Sequence, residues 1–246
     1  MKDKTFTSKL TLENVSHSYG NVAVLKDLNL IVNPGEIVVL VGPSGCGKTT
    51  ILNLLSGHIN PVSGTIQREG IIRTVYQHDG LFPWLTVSEN ISMGLRGTES
   101  AEKELLELVE LIRLEGFENH YPHELSGGMR QRVELARVHA GDSDILLMDE
   151  PFSALDYQTR LRMRNELIRL LEQRPRTVVF VTHDIEEAAQ LADRVLVLSN
   201  RPATICRELN IKAQKPRGLT DPAVIAAMEE ILNELGLNIT DKTNSL

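Results

Sequence analysis

Residues 42–49 read Gly42-Pro43-Ser44-Gly45-Cys46-Gly47-Lys48-Thr49 and fit the pattern G-x-x-x-x-G-K-[ST], the spacing of a loop that wraps a phosphate chain. Glycines at these positions let successive backbone N–H groups turn toward one anion, and the N-terminus of the helix that follows adds partial positive charge. Lys48 would reach the β- and γ-phosphates of a nucleoside triphosphate, and the Thr49 hydroxyl would face Mg²⁺. About a hundred residues later the run Ile145-Leu146-Leu147-Met148-Asp149-Glu150 ends an apolar strand on two carboxylates. Asp149 is placed to hold Mg²⁺ through its water shell. Glu150, one residue on, is placed to polarise an attacking water as general base.

These groups need elements that hold them, and the hydrophobic pattern supplies them. Residues 37–41 form a short apolar, β-branched run, as expected for a strand buried on both faces of a parallel sheet, and helical spacing resumes over residues 49–55. Residues 145–148, 178–181 and 195–198 read as further buried strands. The last two each follow a helical segment, so strand and helix alternate around a mainly parallel sheet. Ahead of them, residues 10–15 and 24–32 read as an antiparallel pair turning at Tyr19-Gly20-Asn21. The expected fold is α/β: a P-loop NTPase core with a mainly parallel sheet, an N-terminal antiparallel β-subdomain and an inserted α-helical subdomain. The insert is expected over about residues 87–135. A terminal helix over about 221–235, with Asp221 as N-cap, Pro222 in the first turn and Gly236 as stop, closes a single domain of residues 1–236 before a polar tail, 237–246.

Composition narrows the function classes. A formal charge of -7, from 26 basic and 33 acidic residues, argues against a nucleic-acid backbone as the main partner. No apolar run approaches the roughly 18 residues that cross a bilayer, and the first ten residues lack the apolar centre of a signal peptide. Two cysteines, Cys46 and Cys206, cannot make a disulfide framework and fit a reducing compartment. A cytoplasmic chain is expected.

Leu125-Ser126-Gly127-Gly128-Met129-Arg130-Gln131 resembles the signature motif of the ABC ATPase family. Physically it is a helix N-terminus carrying a hydroxyl and two glycines, a second anion site in a chain that already has one. The resemblance implies that Ser126, Gly127, Gly128 and Gln131 face ATP held by the loop of a second protomer. It extends over about residues 10–202 and implies further roles. Tyr19 resembles the aromatic that stacks on adenine, and Gln77 the glutamine that reaches Mg²⁺ and the attacking water. Ser153-Ala154-Leu155-Asp156 resembles the loop that communicates across the dimer, with Asp156 its acid, and His183 the histidine that contacts the γ-phosphate. The implied ATP-binding set is Tyr19 with residues 42–50, Thr50 included; the implied metal ligands are Thr49, Gln77 and Asp149; the implied catalytic set is Glu150, His183 and Gln77.

Leu81-Phe82-Pro83-Trp84-Leu85-Thr86-Val87 and Leu198-Ser199-Asn200-Arg201-Pro202 look like the importer ATPases that serve nitrate, sulfonates, taurine or bicarbonate. The first of these segments would then receive a coupling helix from a transmembrane permease, on the cytoplasmic face of the membrane, with an extracytoplasmic solute-binding protein as a further partner. The chain is shorter than that pattern around residues 67–73 and 96–101. A soluble ABC ATPase not coupled to transport is the alternative; the long coiled-coil insertion or second cassette usual in that class is absent from the sequence. A P-loop kinase or GTPase would share residues 42–49 but not residues 125–131. His120 and His123 stand at helical spacing without a third ligand and are read as ordinary histidines, Cys46 as a small residue, and the glutamates of residues 99–110 as the wet face of a helix.

Overall fold

The computed structural model describes residues 10–76, 80–95 and 101–237. The chain forms two compact units, one made of the chain up to Glu69 together with Thr177 onward, the other of Gly70–Arg176. The first unit opens with strands β1 (Leu10–Tyr19), β2 (Val22–Val32) and β3 (Ile37–Val41), helix α1 (Lys48–Ser56) and strand β4 (Ser63–Arg68). The second contains β5 (Ile72–Val75), α2 (Val87–Ser92), α3 (Ala101–Leu111), α4 (Gly127–Ala140), β6 (Ile145–Asp149) and α5 (Tyr157–Gln173). The chain returns to the first unit through β7 (Thr177–Val181), α6 (Ile185–Leu191), β8 (Arg194–Leu198), β9 (Ile205–Asn210) and α7 (Pro222–Glu234).

In the first unit, β2, β1 and β4 make an antiparallel sheet in that order, while β7, β3, β8 and β9 lie side by side in a second one. β3 pairs in parallel with β7, Leu40 opposite Val181, and with β8, Val41 opposite Val197. Every residue of β3 and β7 is buried, which is why β3 is wholly valine, leucine and isoleucine and β7 runs Val178-Val179-Phe180-Val181 after Thr177. Each such side chain contributes roughly 1.5–3 kcal/mol by leaving water. Because the pairing is parallel, the chain leaves β3 and β7 at the same edge of the sheet.

In the second unit β5 and β6 pair in parallel, Val75 opposite Met148. The helices share their own core, in which Val87 and Ile91 of α2, Leu108 and Val109 of α3, and Val133 and Ala136 of α4 meet Leu81, Leu95, Ile112 and Leu125. Two strands escape the sequence reading. β4 is a half-exposed polar stretch recruited by β1, with Leu12 opposite Ile66, and β9 is an antiparallel edge strand on β8, with Leu196 opposite Glu208. The insert is divided into separate helices: α2 opens on a capping box of Thr86 and Glu89 and ends at Ser92, and α3 begins at Ala101.

A recurring device closes the helices. Their last carbonyls have no intrahelical donor, and here arginines distant in sequence supply one. Arg68 donates to Leu54 and Leu55 at the end of α1, Arg132 to Ile112 and Arg113 beyond α3, and Arg217 to Ala189 and Ala192 at the end of α6. Arg176 is the most enclosed case. Its guanidinium donates to the carbonyls of Val138 at 3.3 Å, His139 at 2.8 Å and Gly141 at 3.0 Å, and to Ser143 Oγ at 2.8 Å. Burial, with Arg174 nearby, pulls its pKa down to about 10, so it remains a cation at neutral pH and meets the negative end of the α4 dipole. Replacing Arg176 with methionine keeps length and leaves three buried carbonyls unpaired. The expected cost is about 2–4 kcal/mol, seen as a lower urea midpoint at unchanged slope; a loss below about 0.5 kcal/mol would show that the carbonyls find other donors.

Candidate functional site

The phosphate loop joins buried β3 to α1, and its conformation needs its glycines. Gly45 and Gly47 have φ of 72° and 123°, outside the range of ordinary residues, and a Cβ on Gly47 would stand 2.8 Å from Val24 Cγ1 and 3.0 Å from Leu25 Cδ2 of β2. Gly42 is pressed on Leu198 of β8, whose Cβ would lie 3.0 Å from its own. The loop is thus clamped between two strands. Lys48 folds back along it, Nζ donating to the carbonyls of Gly42 at 2.8 Å and Pro43 at 3.0 Å. The carbonyls turn to the ammonium, and the first N–H groups of α1, which have no intrahelical acceptor, are left for an anion.

Exposure separates the residues of this segment. Ser44, Gly45 and Thr49 are exposed, so the Thr49 hydroxyl is open to an ion, whereas Cys46, Lys48 and Thr50 are buried. Burial pushes the Cys46 thiol up, against the opposing pull of the Lys48 and Arg201 charges. Cys46 and Thr50 therefore shape the loop from beneath. Tyr19, at the end of β1, is half-exposed and packed edge-on against His17 with ring centroids 4.8 Å apart. His183 is exposed on the loop after β7, at the same sheet edge as the phosphate loop. That loop is held by its neighbours: Thr182 donates its N–H to Leu40 of β3 and its hydroxyl to Glu187, while Asp184 caps α6 by accepting from Glu186 and Glu187.

The second unit presents its own groups. Asp149 is buried at the C-terminal end of β6, and Glu150 follows with φ of 47°, a left-handed conformation costly for a residue with a Cβ. Ser153 supports that turn, its N–H and hydroxyl both donating to the Glu150 carbonyl. Ser126 is the exposed N-cap of α4, accepting from Met129, and the first turn of α4 has no acid to repel an anion. Gly128 passes 3.0 Å, measured from a Cβ placed on it, from Leu155. Gln131 is buried with its Oε1 lacking a hydrogen-bond donor. Asp156 is an exposed N-cap: it accepts from Thr159 across the first turn of α5, and the Thr159 hydrogen bonds hold its carboxyl below the usual range. Gln77 lies outside the described residues.

Phe82 and Trp84 sit 5.5 Å apart on the loop before α2, Trp84 being 68% exposed and Arg137 lying over the Phe82 ring. Sequence reading missed what holds them. Asn90, fully buried, accepts from the Phe82 N–H and donates to the carbonyls of Phe82, Leu85 and Thr86, so its amide replaces a backbone partner for the whole turn. No local pattern marks an asparagine inside a helix for this use. Among the described residues no cluster of three or more potential metal ligands from His, Cys, Asp and Glu occurs, and no helix is long and apolar enough to cross a membrane.

Comparison with known proteins gives a consistent result. The ABC transporter family model matches residues 25–153. The chain is 43% identical to an aliphatic sulfonates import ATP-binding protein of Rhodococcus jostii over 92% of its own length and 93% of that protein's. It is 40% identical to a nitrate import ATP-binding protein of Synechocystis, covering 92% of this chain and 93% of that one. The dimeric structure of MJ0796, a bacterial ABC transporter cassette, superposes with a TM-score of 0.74 at 34% identity, over 83% of this chain and all of that one. A second structure of that cassette is a post-hydrolysis state bound to ADP and Pi. With a glycine-dependent phosphate loop, a strand-end carboxylate pair and a serine-capped signature helix on one α/β scaffold, the chain belongs to the ABC transporter family as an ATP-binding, ATP-hydrolysing cassette.

Proposed function

We propose that the chain is the ATPase subunit of an importer for a small solute of the sulfonate or nitrate type, working as an ATP-dependent pair of cassettes against separate permease subunits. The observation that carries this reading is the identity of 40% or more with sulfonate and nitrate import ATP-binding proteins over nine-tenths of the chain. The exposed Trp84, with the half-buried Phe82 ring beside it, agrees with it, as an aromatic surface for a permease helix on the cytoplasmic side of the membrane. In this reading residues 1–236 act as one cassette, the segment of residues 81–87 at the start of the helical insert of about residues 87–135 carries the docking surface, and an extracytoplasmic solute-binding protein delivers the cargo.

The chemistry follows from the side chains. Tyr19 offers a ring face to adenine, and backbone N–H groups of the segment 44–50 with the Lys48 ammonium hold the phosphates. The hard oxygen donors available at Thr49 and Asp149 suit Mg²⁺, with Gln77 as a further ligand, and the ion would neutralise charge developing on the phosphoryl oxygens. Glu150 takes a proton from the attacking water, Gln77 orients that water, and His183 donates toward the terminal phosphate. Ser126, Gly127, Gly128 and Gln131 of one protomer close on the ATP of the other, with the loop ending at Asp156 between them. Closure and reopening are the strokes passed to the permease.

Lys48→Ala removes the one cation within the phosphate loop. ATP affinity by calorimetry should fall on the order of ten- to a hundredfold, the loss of charge-assisted contacts, and turnover should fall with it; unchanged affinity would exclude residues 42–49 as the phosphate site. Trp84→Glu tests the docking surface separately. In vesicles carrying the permease, transport should collapse while the ATPase rate of the free subunit stays at the wild-type level. Transport that survives the charge would place the coupling surface elsewhere, and recovery of no multi-spanning membrane protein with the wild-type chain would favour the transport-independent class.

A further inference from the structure

Lys48 is not the only cation at the phosphate loop. Arg201, in the turn between β8 and β9, carries its Nη2 to 3.8 Å from where a Cβ on Gly45 would stand, and its charge acts on the Cys46 thiol beneath the same loop. It is exposed, and among the described residues it has no hydrogen-bond or ion-pair partner. That is unusual company for a free guanidinium in a chain of net charge -7. The arginines that close helix ends, Arg68, Arg132, Arg176 and Arg217, are by contrast all committed to carbonyls.

The turn that bears Arg201 is fixed in place. Ser199 and Thr204 close it, with Ser199 N–H donating to the Thr204 carbonyl and Thr204 N–H to Ser199 Oγ at 2.9 Å. Ala203, two residues beyond Arg201, donates to the Val24 carbonyl at 2.7 Å and accepts from Lys26 N–H at 3.1 Å, bridging β2 at Leu25. Val24 and Leu25 are the residues against which Gly47 is packed, and Leu198, where the turn begins, is pressed on Gly42. One pair of strands therefore positions both the phosphate loop and the arginine beside it. A second positive charge held there is placed to meet an anion that the loop itself receives.

We propose that Arg201 is a phosphate-tail residue of the nucleotide site, a cation supplied from the β8–β9 turn that strengthens binding of the polyphosphate and contributes nothing to recognition of the base. This rests on the assignment of residues 42–49 as the phosphate site. A guanidinium presents several donors in a fork and stays charged at all relevant pH, so it suits a multiply charged, oxygen-rich tail better than a structural contact would require.

The test compares Arg201→Ala, Arg201→Lys and Lys48→Ala in the full chain, titrated with ATP by calorimetry and with adenosine by ligand-observed NMR. Arg201→Ala should weaken ATP on the order of tenfold, one charge-assisted contact, leave adenosine unchanged, and flatten the dependence of ATP affinity on salt. Arg201→Lys should recover most of the loss. Equal weakening of ATP and adenosine would show that Arg201 merely supports the fold of the turn, and wild-type ATP affinity in Arg201→Ala would remove it from the site; either result overturns the inference. If Lys48→Ala also binds ATP normally, the phosphate-site assignment itself fails, whereas a defect confined to Lys48→Ala refutes the role of Arg201 alone.

Discussion

The structure turns on one electrostatic arrangement, a peptide loop whose first carbonyls, those of Gly42 and Pro43, are gathered by Lys48 so that the N–H groups at the start of α1 are the ones available to an anion. Such a loop is unstable by itself, because it combines two left-handed residues, Gly45 and Gly47, with a buried ammonium. Its surroundings make it tenable. β3 delivers it from a strand with no exposed face, α1 begins inside it, and Val24, Leu25 and Leu198 leave no room for side chains where the glycines stand. Parallel pairing of β3 with β7 then brings His183 out at the same edge without any further device.

The second unit obeys a similar rule with a different terminus. Asp149 lies at the end of a strand as enclosed as β3, and Glu150 turns away through a conformation that Ser153 stabilises from two donors. Strain at a carboxylate assigned to the chemical step is where strain is expected in an enzyme. Ser126 and Asp156, by contrast, do ordinary work as N-caps of α4 and α5 while occupying the positions assigned to the contact between cassettes. A cap oxygen that satisfies an N–H at a helix start and an anion approaching the same start use the same field.

The parallel-sheet part of the fold and the phosphate loop were legible in sequence because the physical demands on them are local. A strand covered on both faces must be continuously apolar, and a phosphate loop must carry glycine at fixed spacing. What escaped was set by tertiary partners. β4 and β9 are polar strands that exist because β1 and β8 offer them an edge, and the arginine caps join residues as far apart as Arg176 and Val138. Asn90 likewise reads as an unremarkable helix residue until its amide is seen to hold the carbonyls of Phe82, Leu85 and Thr86. The roles of Tyr19, Gln77 and His183 came from resemblance to a family, since an isolated tyrosine, glutamine or histidine carries no spacing signal of its own.

Membership of the ABC family fixes ATP as the fuel; the central mechanical claim is that ATP joins two cassettes and that Glu150 ends the union by hydrolysis. Glu150→Gln isolates that claim, because it preserves shape and removes only the base. Gel filtration with light scattering, run with ATP and Mg²⁺, should show the variant as a stable dimer with hydrolysis nearly abolished, under conditions where the wild type returns to monomer. A variant that hydrolyses ATP at the wild-type rate, or that stays monomeric in excess ATP, would contradict it.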